Sequence, residues 1–429
     1  MLKKLLFMTL TGHGHINPML PLVEELVRRG HRVDYATGAS HAAAVTGAGA
    51  RWVELPSPKP FAPPATIGPA AVAGWLRHYF AAMSATYPVV REYCATERVD
   101  AICYDTTNWP ARIVARALGI PAVQCFPHLA SNETYSLDRQ LTSGLDADDP
   151  TMALLAADCA AFSAQYGVPL DVADTMTVAD GLNLVFVPRE FQPAADSFDE
   201  RFHFIGPLVG RREQDEQWSP PDPDAPLLYV SLGTVFTGRP EFYRACVAAV
   251  ADGPWQVAMA VGDADAAALG VVGGRVTVRS RFPQVAVLRR ATVFVSHAGM
   301  NSVMEALRYG VGLVALPQTP EQAANAARLV ELGLGERLDA GAVGVEALRA
   351  AIGRGASDPV VRGSLAGMRR GVLRGGGVAR GADLVECSAC VTGDRSSGAG
   401  AGPGRGWTGR WGRVGGRARR PGGRGCGWR

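Results

Sequence analysis

Short apolar segments alternate with amphipathic segments along most of this chain. Residues 4–9 form an apolar run that predicts a buried strand. After a turn rich in glycine and histidine, Asn17-Pro18 predicts the start of a helix, and apolar residues recur with helical spacing over residues 19–27. Gly30 is expected to end this helix, and residues 33–37 predict a second strand. The chain therefore opens with a β–α–β unit.

The same alternation continues to the end of the apolar part of the chain. Residues 101–104 predict a strand, followed by a helix at residues 110–118. Further buried strands are predicted in the second half, at residues 227–232, 256–261, 276–279, 293–296 and 313–316. Alternating strands and helices are typical of α/β domains with parallel sheets, which bind ligands at the carboxyl ends of their strands.

Two changes of composition divide the chain. Residues 210–226 combine charged residues with four prolines, as interdomain linkers do. Residues 387–429 are rich in Gly and Arg and lack apolar periodicity, which predicts a disordered tail. The predicted organisation is a first domain at residues 1–209, a linker at 210–226, a second domain at 227–386 and the tail.

Composition and charge exclude several classes of protein. Hydrophobic residues make up 47% of the 429 residues, enough for packed cores. The formal net charge is +3, but the nine Arg and one Asp of the tail contribute +8, so residues 1–386 carry −5. This argues against nucleic acid as the main partner. There is no apolar run of about 18 residues, so no membrane-spanning helix is expected.

The predicted location is the cytoplasm. Lys3 and Lys4 precede an apolar stretch that is too short for a signal peptide and leads into the Gly/His turn. The eight cysteines lack regular spacing, as is typical of reduced thiols. Nothing in the sequence indicates an oligomeric state.

The first candidate for chemistry is the Gly12–His15 turn together with Asp105. Both follow predicted strands, so both are expected at the same edge of the sheet. A histidine there is suited to act as a general base, and a carboxylate could orient its ring. The alternatives are a structural histidine and an aspartate that caps the next helix.

The second candidate is a set of turns in the second half of the chain. Residues 296–302 (SHAGMNS) connect a strand to a helix, whose free N–H groups suit a phosphate or diphosphate. Ser231, Gly233 and Thr234 follow another strand and could contribute to the same site.

These residues resemble the donor signature of the UDP-dependent glycosyltransferases. The similarity lies in His297-Ala298-Gly299, Asn301-Ser302, Glu305 and Glu321-Gln322, preceded by Arg281-Phe282-Pro283-Gln284. Residues 12–18 and 104–121 resemble the bacterial macrolide glycosyltransferases of this superfamily. The resemblance covers residues 4–386 and implies an α/β GT-B fold, in which two Rossmann-like domains with parallel sheets face a cleft.

The resemblance also implies roles for individual residues. His15 would be the catalytic base, and Asp105 its partner. The implied donor-binding set comprises Ser231, Gly233, Thr234, Phe282, Gln284, His297, Gly299, Asn301, Ser302, Glu305, Glu321 and Gln322. Within it Glu305 would bind ribose, Gln284 the base, and Glu321 and Gln322 the sugar hydroxyls. Trp75, Phe80 and Trp109 are acceptor-binding candidates, and plain core packing is the alternative for Trp75 and Phe80.

The sequence departs from the family pattern at Arg281, where a tryptophan usually stacks on uracil. An Arg plane can stack too, but this leaves UDP and dTDP both open as donor nucleotides. Three Asp-x-Asp pairs occur, beginning at Asp146, Asp222 and Asp263. Loop, linker or helix-cap positions explain them better than a metal site, so no metal and no cofactor is expected.

The expected function is inverting transfer of a hexose, foremost glucose from UDP-glucose, to a hydroxyl of a lipophilic small molecule such as a macrolide or other polyketide. Three alternatives remain. They are an antibiotic-biosynthesis transferase that uses a dTDP-deoxysugar, a UDP-sugar epimerase of the same fold, and a non-catalytic nucleotide-sugar-binding protein.

Overall fold

Two parallel β-sheets form the framework of the protein. The computed structural model describes residues 2–10, 12–57, 69–142, 150–176, 178–233, 239–262, 264, 274–339 and 343–390. These residues belong to one compact unit, Met1–Thr392.

The first sheet contains seven strands among the described residues, in the order β3-β2-β1-β4-β5-β6-β7. Every neighbouring pair is parallel. The strands are β1 Lys4–Met8, β2 Arg32–Thr37, β3 Arg51–Glu54, β4 Ala101–Asp105, β5 Ala122–Phe126, β6 Asn183–Val185 and β7 Phe202–Phe204. The direction of strand addition reverses between β1 and β4, which is where open α/β sheets bind ligands.

The second sheet contains six strands in the described part, in the order β10-β9-β8-β11-β12-β13, again parallel throughout. The strands are β8 Leu227–Ser231, β9 Gln256–Ala260, β10 Val276–Arg279, β11 Val293–Ser296, β12 Gly312–Ala315 and β13 Gly335–Arg337. Its point of reversal lies between β8 and β11. The α/β class and the two parallel sheets expected from the sequence are confirmed.

Helices cover both sheets. They are α1 His13–Ile16, α2 Leu20–Arg28, α3 Ala42–Gly47, α4 Pro69–Glu97, α5 Trp109–Leu118, α6 Leu137–Thr142, α7 Pro150–Tyr166, α8 Val172–Thr175, α9 Arg212–Asp215, α10 Pro240–Val250, α11 Gln284–Leu288, α12 Met300–Tyr309, α13 Pro320–Glu331, α14 Val345–Ser357, α15 Pro359–Arg374 and α16 Gly377–Cys390, with 3₁₀ helices at Ala39–His41 and Ala195–Ser197. No described helix is long and apolar enough to cross a membrane.

The continuous apolar runs of the strands are explained by burial on both faces. Side chains alternate between the faces of a strand. Leu5 and Phe7 of β1 therefore join one core cluster and Leu6 and Met8 join another, on the opposite face. Strands of a helix-covered parallel sheet need this pattern, because neither face contacts water.

The start of the first helix differs from the prediction. Residues 13–16 already form the short helix α1, and the N-cap of α2 is Met19, with no side-chain cap. The predicted cap at Asn17 is therefore wrong, because the Gly/His turn itself folds as a helical turn. Gly30 follows α2 with φ of +91°, a left-handed conformation that glycine adopts without strain.

The last described helix, α16, returns to the first sheet. It contacts α2, β4 and β5, and Ala382, Val385 and Ala389 are fully buried there. Arg29 at the end of α2 pairs with Asp383 and Glu386, at 2.6 and 2.9 Å. Residues 387–390, predicted to be tail, are thus helical because the Ala389 side chain packs into the core. The rest of the predicted tail, 391–429, lies outside the described residues, and the predicted domain boundaries stay a prediction.

We expect Val385→Asp to destabilise the protein. A carboxylate at this fully buried site would have no partner, which costs about 3 kcal/mol or more. Thermal unfolding should show a melting temperature lower by roughly 5 °C or more. The matched control is Cys387→Asp on the exposed side of the same helix. Equal melting temperatures for the two variants would contradict the packing of α16 on the first sheet.

Candidate active site

His15 and Asp105 meet at the point of reversal of the first sheet. His15 lies in α1, just after β1, and Asp105 is the last residue of the neighbouring strand β4. The His15 Nδ1 lies 2.7 Å from the Asp105 Oδ2. With Nδ1–H donating to the carboxylate, the neutral ring carries its free lone pair on Nε2. This is the arrangement of a general base held by an acidic partner.

The carboxylate of Asp105 is buried and held from its other side. Its Oδ1 accepts hydrogen bonds from the Thr107 backbone N–H at 3.0 Å and the Thr107 hydroxyl at 2.6 Å. The N-cap of α5 is Asn108, so Asp105 does not cap that helix. Asn108 instead accepts a hydrogen bond from the Leu10 N–H at 3.1 Å, which joins the loops after β1 and β4.

The pair shifts the titration of both groups. Burial acts to lower the pKa of His15, but the charge of Asp105 and its hydrogen bond outweigh burial and raise the pKa to about 9. Burial acts to raise the pKa of Asp105, but His15 and Thr107 hold it below its usual value. The pairing therefore favours the imidazolium form of His15 and the carboxylate form of Asp105 at pH 7.

A second histidine lies beside this pair. The rings of His128 and His15 are 5.7 Å apart in an edge-to-face arrangement, and the His128 Nδ1 lies 2.8 Å from the Leu129 carbonyl oxygen. The sequence reasoning did not select His128. The available signal was its position just after β5, which pairs with β4, because the carboxyl ends of adjacent parallel strands share one edge.

His297 occupies the matching point of the second sheet, between the loops after β8 and β11. A Cβ atom at Gly233 would lie 2.9 Å from its ring, and one at Gly299 would lie 2.5 Å from its Nε2. A side chain at either position would therefore displace the His297 ring, and Gly233 also has φ of +82°, which favours glycine. Burial lowers the pKa of His297, so its imidazole is neutral at pH 7 and can donate an N–H.

The start of α12 faces the His15 loop. The Asn301 amide donates to the Gly14 carbonyl oxygen at 2.9 Å, a contact between the two sheets' loops. Gly299 is the N-cap, and its helix start has no side-chain cap among the described residues. Backbone N–H groups of the first turn are thus available for an anion close to His15.

Further predicted donor residues form one hydrogen-bonded cluster. The Gln284 amide nitrogen donates to Glu305 Oε2 at 2.8 Å and to the Ser302 hydroxyl at 3.3 Å. Phe282 packs edge-on against Trp218 and Tyr229. Arg281, by contrast, is exposed.

Ser231 and the Glu321-Gln322 pair lie on the same side as His297. The Ser231 hydroxyl accepts from the Gly233 N–H at 3.4 Å. Glu321 is close enough for its charge to raise the pKa of both His15 and His297. The Gln322 Oε1 accepts a hydrogen bond from the Gln318 backbone N–H at 2.8 Å.

The structure does not gather every predicted site residue. Phe80 and Trp109 are stacked on each other within the core between α4 and α5, which is the packing alternative given for Phe80, whereas Trp75 is 52% exposed on α4. Asp222 and Asp224 form a turn in the connection between the sheets. Thr234 and the Asp-x-Asp pairs that begin at Asp146 and Asp263 lie outside the described residues.

Comparisons with known proteins identify the family. The model of the family "UDP-glucoronosyl and UDP-glucosyl transferase" matches residues 212–364. The NDP-glycosyltransferase YjiC of Bacillus subtilis (strain 168) is 34% identical over 87% of this chain and 94% of its own length. The demethyllactenocin mycarosyltransferase of Streptomyces fradiae is 36% identical over 89% of this chain and 85% of its own length.

A solved structure has the same architecture. The crystal structure of the kitacinnamycin glycosyltransferase superposes with a TM-score of 0.81 at 37% identity, covering 90% of this chain and 99% of that one. Fold, signature and site geometry agree. The chain therefore belongs to the UDP-dependent glycosyltransferase superfamily: it is a glycosyltransferase of the GT-B fold, similar to the bacterial macrolide glycosyltransferases.

Proposed function

We propose that this enzyme transfers a hexose, foremost glucose from UDP-glucose, to a hydroxyl of a lipophilic small molecule with inversion at the anomeric carbon. A macrolide or other polyketide is the proposed acceptor class. The observation that carries the proposal is the His15–Asp105 pair beside the uncapped start of α12, joined by the Asn301–Gly14 hydrogen bond. A base and an anion site so placed serve the two ends of one displacement.

The proposed reaction is a single displacement. Nε2 of neutral His15 takes the proton of the acceptor hydroxyl while its oxygen attacks the anomeric carbon. The bond from that carbon to the diphosphate oxygen breaks on the opposite face, and the nucleoside diphosphate leaves. Asp105 stabilises the imidazolium that forms, and the N–H groups of α12 with neutral His297 stabilise charge on the departing diphosphate. We therefore propose no metal requirement and no cofactor.

The choice of donor rests on Glu321 and Gln322. Their polar side chains favour a fully hydroxylated hexose, because a deoxysugar would leave them without hydrogen-bond partners. A dTDP-deoxysugar is the second candidate. It is favoured by the exposure of Arg281, which replaces the stacking tryptophan, and by the relative named as a mycarosyltransferase.

Mass spectrometry of acceptors incubated with UDP-glucose, or separately with a dTDP-deoxysugar, tests the proposal. We expect a macrolide acceptor to gain one hexosyl unit from UDP-glucose, with or without excess EDTA. A product formed only from the dTDP-sugar would favour the second candidate, and loss of activity with EDTA would contradict the metal-free mechanism. UDP release without any acceptor would indicate an epimerase or a hydrolase. If no UDP is released under any condition, the result would indicate a binding protein.

Substitution of the base should remove turnover but leave donor binding intact. We expect His15→Ala to lower kcat by roughly 10² to 10⁴, the usual contribution of a positioned base. UDP affinity, measured by calorimetry, should stay near that of the unsubstituted enzyme. Asp105→Asn should also be slow, and the double variant little slower than His15→Ala, because residues that act as one unit are non-additive. Fully multiplicative losses would mean that the two residues act separately.

The pH profile should report the raised pKa of His15. Because only neutral His15 accepts a proton, kcat/KM for the acceptor should rise about tenfold per pH unit from pH 6.5 and level off near pH 9. In Asp105→Asn the pKa should fall, since burial remains and the charge that opposed it is gone. The profile of this variant should be flat from pH 7 to 9. Parallel profiles for the two enzymes would show that Asp105 does not set the pKa of the base.

A further inference from the structure

We propose that Arg212, in the connection between the two sheets, positions Glu305 for the ribose of the donor nucleotide. The inference rests on the proposed function and on the ribose-binding role that the family resemblance implies for Glu305. Arg212 belongs to the stretch that the sequence predicted to be a linker. The structure places this stretch, through α9, against α11 and α12, which flank the second sheet.

Arg212 contacts the carboxylate of Glu305 directly. Its Nη1 donates to Glu305 Oε1 at 2.7 Å, while Gln284 donates to Oε2 at 2.8 Å. Glu305 is only 7% exposed, so its side-chain oxygens depend on hydrogen bonds from the protein rather than from water. Two donors on two different oxygens also fix the plane of the carboxylate. The orientation available to a ribose hydroxyl is thereby set by Arg212 and Gln284 together.

Glu216 connects Arg212 to the position of Gln284. Arg212 Nε donates to Glu216 Oε1 at 2.8 Å, and Glu216 Oε2 accepts from the Val285 N–H at 3.0 Å. Val285 lies in the first turn of α11, next to Gln284. Glu305 and Gln284, the two side chains expected to contact the nucleoside, are therefore held by one chain of ion pairs and hydrogen bonds that begins in the connection.

The connection has further anchors that do not involve Arg212. Arg289 donates to the Glu213 and Glu216 carbonyl oxygens, each at 2.7 Å, and Arg308 pairs with the Glu213 carboxylate at 2.7 Å. Loss of the Arg212 guanidinium should thus leave the connection in place. Among the described residues it would leave Gln284 as the side chain that still bonds the Glu305 carboxylate, which could then rotate away from the ribose.

The proposal predicts a loss of affinity that depends on the ribose hydroxyls. The test measures UDP and 2′,3′-dideoxy-UDP dissociation constants by calorimetry, for the unsubstituted enzyme and for Arg212→Ala, Arg212→Lys and Glu305→Gln. We expect Arg212→Ala to weaken UDP binding about tenfold or more and dideoxy-UDP binding by less than about threefold. Arg212→Lys should recover part of the UDP affinity. In Arg212→Ala, the KM for the acceptor and the kcat at saturating donor should change little.

Arg289→Ala is the matched control, because it removes an anchor of the same connection without touching Glu305. It should keep the preference for UDP over dideoxy-UDP. Equal losses for both nucleotides in Arg212→Ala, a similar loss in Arg289→Ala, or unchanged UDP binding in Arg212→Ala would each overturn the inference. If Arg212→Ala does not fold, Arg212→Lys and Arg212→Gln test the inference through the same ratio of the UDP and dideoxy-UDP dissociation constants. Failure of the unsubstituted enzyme to bind UDP or dTDP would instead overturn the proposed function, and the inference with it.

Discussion

The carboxylate of Asp105 is fully buried, and the organisation of the loops after β1 and β4 depends on how that buried charge is matched. A charge with no access to water must be neutralised or surrounded by donors. Here Thr107 supplies two hydrogen bonds and His15 supplies the third. Because β1 and β4 are adjacent parallel strands, their following loops meet at one edge, so the histidine reaches the carboxylate without distortion of either strand.

This interaction has a chemical consequence. A histidine bound to a buried carboxylate is a stronger base than a free one, but less of it is neutral at pH 7. The same pairing therefore determines where the proton rests before the reaction and how well the imidazolium is stabilised during it. At the second sheet, the corresponding histidine is His297. Among the described residues it has no carboxylate within hydrogen-bond distance. Burial keeps it neutral, which suits a donor of hydrogen bonds to a diphosphate.

The connection between the sheets packs against residues of the second sheet and its helices, and it forms ion pairs with them. Arg212 and Glu216 continue the hydrogen-bond cluster of Gln284 and Glu305, and Trp218 packs on Phe282. The connection thus contributes both ion pairs and an aromatic contact to the residues proposed to surround the nucleoside.

Much of the framework is determined by short-range pattern. The strands at residues 276–279 and 293–296 were predicted with the bounds observed, and Gly30 ended the first helix as expected. His15 and Asp105 were also predicted to meet, since parallel strands bring the residues after them to one edge. Local sequence suffices for these features because strand periodicity, glycine conformation and strand order are local or topological properties.

Tertiary structure decided what depends on contacts distant in the chain. No local signal shows that α16 packs on the first sheet, or that Trp109 stacks on Phe80 in the core rather than lining a pocket. The composition of residues 210–226 predicted an interdomain linker but gave no partner for its charges, and Arg212 bonds Glu305, 93 positions further along the chain. A charge looks alike in sequence whether water or a buried carboxylate surrounds it, and only the folded chain determines which partner it has.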